Sequence, residues 1–67
     1  MAITLRALRV NMGYNLDAAA KLLEVSKDTL RNWEVGKTFP NVPQISKIEE
    51  VYGVKYDDII FLTKQFN

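Results

Sequence analysis

The 67-residue chain has no cysteine and no histidine, which excludes disulfides, thiolate chemistry, a Cys/His zinc site and a histidine general base. Its fold must rest on an apolar core. Glycine and proline are scarce and fall singly, as Gly13, Gly36, Pro40, Pro43 and Gly53; they punctuate the chain and form no linker, repeat or low-complexity tract. Hydrophobic residues make up 48% of the chain, yet no apolar run approaches the length of a membrane span or a signal-peptide core. A soluble, cytoplasmic protein with no membrane partner is expected. So short a chain makes one domain, residues 1–67, burying roughly 60% of the surface its unfolded form exposes. Charge of one sign is also lacking, the formal net value being +1. Up to Thr38, however, Arg6, Arg9, Lys21, Lys27, Arg31 and Lys37 face only Asp17, Glu24, Asp28 and Glu34. The first half is therefore mildly basic, too weakly for a broad polyanion-binding surface.

The breakers divide the chain into short helical segments. A first helix is expected from near Thr4, burying Leu5, Leu8 and Met12 and stopping at Gly13. Asn15 suits an N-cap, and Leu16, Ala19, Ala20 and Leu23 then recur on one helical face. Ser26 is a second N-cap, opening a helix that reaches Glu34 or Val35 and ends at Gly36. A fourth begins after Asn41, takes Pro43 early, turns Ile45, Ile48 and Val51 inward and stops at Gly53. A fifth is expected from Tyr56 to about Lys64, with Asp57 and Asp58 favourably placed in its first turn. Val54 to Tyr56 has some β propensity, but a lone strand would have nothing to pair with. The expectation is an all-α, five-helix domain.

The stretch "VSKDTLRNWEVGK", residues 25–37, holds the most concentrated polar chemistry. At 100° per residue, Lys27, Asp28, Arg31 and Asn32 share about 140° of one face, and Leu30 and Trp33, with Val25, form the packing side. Lysine, arginine and asparagine can reach guanine or adenine edges in a major groove, and aspartate can accept from the cytosine amino group. Every amphipathic helix has a polar side, so this face alone does not separate a reading surface from a solvated one. Its setting adds more, because an alanine-rich helix, a tight Glu24-Val25-Ser26 connection and a capped helix fit within one run of about 20 residues.

The segment "NLDAAAKLLEVSKDTLRNWEVGKTFPN", residues 15–41, resembles the helix-turn-helix of the phage repressor and Cro-like regulators, the XRE family. "LRALRVNMGYN" is similar to the family's first helix and "ISKIEEVYGVKYDDIIFL" to its last two, so the resemblance spans nearly the whole chain. It implies a lambda-repressor-like DNA-binding domain with its helix-turn-helix at about residues 15–35. Carried over by position, Lys27, Asp28 and Asn32 become candidate base readers, and Arg31, beside them on the same polar face, joins them. Asn15, Ser26, Thr29, Lys37 and Thr38 become backbone-contacting or flanking residues, which fix register rather than sequence preference. The resemblance further implies an ion pair between Arg9 and Glu34, the alternative being Arg9 as a phosphate ligand. Trp33 is expected to pack in the core rather than stack on a base.

Four positions depart from the family pattern. Leu16 replaces a glutamine that commonly contacts phosphate, Glu24 occupies a turn position often held by glycine, and Val35 and Phe39 stand where polar or basic residues often grip the backbone. The apolar run in "DDIIFLTKQF" suggests a homodimer interface, since Ile60 and Phe61 cannot both point inward from one helix; the alternative is that the run closes the core and Phe66 frays. A dimer would read a partly palindromic double-stranded operator. The leading expectation is a phage or prophage-type repressor or Cro-like regulator; the competing one is a protein-interaction or antitoxin-like module on the same fold. Catalysis is not expected. Glu49–Glu50 and Asp57–Asp58 diverge by about 100° on a helix, and no phosphate loop or nucleophile–base set is present. No cofactor, metal or small-molecule substrate is implied.

Overall fold

A computed structural model describes residues 2–62. A two-residue strand β1 (Ile3–Thr4) is followed by α1 (Leu5–Asn11), α2 (Leu16–Leu23), α3 (Lys27–Val35) and α4 (Val42–Tyr52); a 3-10 turn at Tyr56–Asp58 then leads into strand β2 (Ile59–Ile60). Each α-helix opens on a short polar side chain that accepts a hydrogen bond from the first turn. Thr4, Asn15, Ser26 and Asn41 take the backbone N–H groups of Ala7, Ala18, Thr29 and Gln44. Four orphan donors are thereby satisfied locally. Asn41 and Gln44 complete a reciprocal capping box, and Pro43 sits in the first turn, where its missing N–H leaves no bond unmade.

The core is built from Leu5, Leu8, Ala19, Ala20, Leu23, Leu30, Trp33, Ile48, Tyr52 and Ile59, with Leu30 and Ile48 fully buried. Helix α2 packs against both α3 and α4. Its Ala19 and Ala20 are small enough to bring the helix backbones close together, which suits the short connection between α2 and α3. Met12, expected inward, is exposed: α1 ends at Asn11 and Met12 is the cap residue, beyond the last turn that faces the core.

The expected fifth helix is not formed between Tyr56 and Leu62; its expected end at Lys64, like Phe66, lies outside the described residues. After one 3-10 turn the chain extends, and β2 pairs in parallel with β1, Ile3 opposite Ile59 and Thr4 opposite Ile60. Extension resolves a packing conflict that a helix would not. With a period of two, Ile59 is buried and Phe61 packs on the core, while Ile60 and Leu62 face outward. The fold remains predominantly helical, with four α-helices among the described residues and a minimal strand pair joining their two ends.

The new segment also seals the loop after α3. Phe61 meets the rings of Phe39 edge-on, at 6.4 Å, and Tyr56 at 5.7 Å. The Leu62 carbonyl lies so close to Gly36 that a β-carbon there would stand 2.8 Å from the oxygen. Glycine at this position is required twice over, by that contact and by its φ of +85°.

Candidate nucleic-acid interface

Helix α3 is fixed from behind by Leu30 and Trp33 in the core and by Glu34, the only buried charged residue among the described ones. Arg9 reaches it from α1: its Nε donates to Glu34 Oε2 at 2.7 Å and its Nη2 to Oε1 at 3.1 Å, while Nη1 donates to the Tyr14 carbonyl at 3.0 Å. The guanidinium is thus committed to α3 and to the α1–α2 connection. Its pKa is raised above the ordinary arginine value, chiefly by the hydrogen bond to Glu34, which outweighs burial. This clamp sets how α3 stands on the domain.

With one side so anchored, the opposite side of α3 is presented outward. Lys27, Asp28 and Arg31 are exposed and Asn32 is half-buried beside them. They are not four independent groups. Lys27 Nζ lies 3.7 Å from Asp17 Oδ1 in the first turn of α2, and Arg31 Nη1 lies 3.7 Å from Asp28 Oδ1 one turn back on α3. Both pairs are at the surface, where such contacts are weak and exchangeable. Asn32 has no side-chain partner among the described residues, leaving its amide donor and acceptor available.

The flanking residues divide by function in the free protein. Asn15 caps α2, its Oδ1 accepting from Ala18 N–H at 2.8 Å. The Ser26 hydroxyl donates to Thr29 Oγ1 at 2.8 Å while accepting from the Thr29 N–H at 3.0 Å. Lys37 and Thr38 are exposed just past the end of α3, with both backbone N–H groups directed to the Asn32 carbonyl. Leu16 is half-buried on the core, whereas Val35 and Phe39 are each 55% exposed. The turn between α2 and α3 does place Glu24 in the left-handed region, at φ 62°. Its carboxylate meets Lys47 of α4 at 3.3 Å.

Three contacts escaped sequence reasoning. Asp17 and Lys27 are ten positions apart and meet only because the α2–α3 turn folds one helix start towards the other. Glu24 and Lys47 meet across the α2–α4 packing, and Glu49 Oε2 accepts the Tyr56 N–H at 2.8 Å. No local periodicity signals such pairs. Among the described residues, no cluster of acidic side chains suits a metal ion and no helix is long and apolar enough to cross a membrane.

An amphipathic helix clamped across a tight turn from an alanine-rich partner is the architecture of a helix-turn-helix DNA-binding domain. A helix-turn-helix family profile matches residues 5–59. The chain belongs to the XRE family of Cro-like helix-turn-helix regulators, which bind DNA and control transcription. No curated protein and no solved structure matches it.

Proposed function

We propose that this chain is a sequence-specific, phage or prophage-type repressor or Cro-like regulator that places α3 in the major groove of double-stranded DNA in the cytoplasm. The observation that carries this reading is the division of α3 into a buried side, Leu30, Trp33 and Glu34, and an outward polar side formed by Lys27, Asp28, Arg31 and Asn32. These four read base edges. Asn15, Ser26, Thr29, Lys37 and Thr38 contact or flank the backbone and fix register. The domain extends over residues 1–67, with the helix-turn-helix at about 15–35.

Dimerisation brings two such helices to half-sites of a partly palindromic operator, spaced by about one helical turn, roughly 34 Å. Ile60 and Leu62, 42% and 44% exposed on one side of the terminal segment, support a self-association surface there. Sedimentation of the protein on operator DNA tests this: a monomer at micromolar concentration would sink the dimer.

The central test is selection of duplexes from a random pool, followed by binding measurements across a salt series. Specific, steeply salt-dependent binding is expected. K27A or N32A should change which base is preferred, by about 1–3 kcal/mol at the affected position, and K37A should weaken every sequence alike. Equal losses on all sequences for all three variants would show that α3 does not read bases. The exposed Val35 and Phe39, with Leu16 in place of a phosphate-contacting side chain, favour a second reading as a protein-interaction or antitoxin-like module. Undetectable DNA binding at low salt would select it.

A further inference from the structure

The two exposed acids beside the outward face of α3 differ in kind. Asp28 pairs with Arg31 within one helix, whereas Asp17 reaches across the turn from α2 to the first residue of α3, placing its carboxylate 3.7 Å from the Lys27 ammonium. Residues near the start of a recognition helix approach base edges most closely. A lysine there has two competing targets, a specific base edge and any nearby phosphate. Flexible and strongly charged, it favours no geometry by itself.

We infer that Asp17 is a specificity residue: it holds the Lys27 ammonium between the starts of α2 and α3, partly neutralised, and so suppresses its capture by backbone phosphates. This rests on the reading of α3 as the base-contacting helix. On arbitrary DNA, Lys27 must give up its contact with Asp17 to reach a phosphate. On the operator, Lys27 instead reaches an oriented acceptor in the groove from its place beside Asp17 and need not enter the phosphate row. Asp17 therefore weakens non-specific association more than specific association and widens the ratio between them. The chain's small net charge of +1 acts in the same direction, keeping the sequence-independent attraction low. Asp17 is a positioning residue, acting through Lys27.

The test compares D17N, and D17S as a second neutral variant, with the wild type on two duplexes, one enriched from a random pool by the wild-type protein and one scrambled to the same composition. Affinities are measured by fluorescence anisotropy between about 50 and 200 mM salt, with thermal melting checking that each variant is folded. D17N should bind the scrambled duplex about 3- to 10-fold more tightly and steepen its log–log salt slope by about 0.9, the release expected for one further phosphate contact. The enriched duplex should change by less than about threefold. In a K27M background the same D17N change should leave scrambled binding and its slope unaltered, since the effect runs through Lys27. A persistent gain in that background would mean that Asp17 acts as a general negative charge and would overturn the inference. So would equal gains on both duplexes, or no change on either. A wild-type protein that binds neither duplex removes the DNA-reading function itself; one that prefers the enriched duplex, with the ratio unmoved in D17N, removes only the role of Asp17.

Discussion

Arg9 and Glu34, 25 positions apart, share two hydrogen bonds of 2.7 and 3.1 Å with side chains only 11% and 6% exposed. Breaking one partner of so buried a pair leaves an uncompensated charge. E34A should destabilise the domain by about 3–5 kcal/mol, whereas R9M/E34L, which removes both charges and keeps the volume apolar, should recover most of that loss. Urea unfolding of R9M, E34L and R9M/E34L measures the coupling. Additive losses would show that the pair is not an energetic unit.

Tyr52 sits in the core, 4% exposed, and its hydroxyl has no hydrogen-bond partner among the described residues. Burial pushes its pKa from 10.0 up to about 12, with the Glu34 carboxylate adding to the rise and Arg9 opposing it. Below pH 10 the phenol is protonated in both folded and unfolded chains, so its contribution is fully present. As pH rises towards 12 the unfolded chain loses the proton first and stability falls, by about 2–3 kcal/mol across that window. Y52F should abolish this part of the alkaline transition. At pH 7 it should be neutral or slightly stabilising, because an unsatisfied buried hydroxyl is removed. Chemical denaturation at pH 7 and at steps above pH 10 checks both statements, and a loss of 1 kcal/mol or more at pH 7 would contradict the second.

Gly36 and Gly53 both end helices with positive φ, yet only Gly36 has backbone against it. G53A should cost about 1 kcal/mol, the left-handed penalty alone. G36A meets that penalty and the Leu62 carbonyl, so its cost should exceed that of G53A by at least 1 kcal/mol. Matched urea midpoints decide; equal values would mean that the terminal segment does not lie over Gly36 in solution.

Glu24 carries the left-handed backbone with a full side chain, which among the described residues meets only Lys47, at the surface. E24G should therefore raise stability by about 0.5–1 kcal/mol, the relieved strain exceeding the lost ion pair. A fall in the thermal midpoint would instead assign real weight to the Glu24–Lys47 link.

The helices α2, α3 and α4 were legible in the sequence because their signals are local. Asn15, Ser26 and Asn41 cap within three residues of themselves, and Gly36 and Gly53 stop what those caps begin. The polar face of α3 was legible for the same reason, through its 3.6-residue period. The terminal segment was not. "IIFL" is apolar at every position and so carries neither period, and what decides it is Ile3, 56 residues earlier, with which Ile59 pairs. The same limit hid Asp17: its partner is close only after the turn has folded, whereas Arg9 and Glu34 entered through family likeness rather than through any spacing.

The pairing of Ile3 with Ile59 ties the beginning of the helical array to its end, and the residues just beyond it press on Gly36. The extreme N-terminal strand is thereby mechanically in series with the loop bearing Lys37 and Thr38. Trimming or perturbing Ile3–Thr4 would slacken that loop from the far side of the chain, so an alteration at the first few residues can reach the edge of α3 without touching any side chain on it.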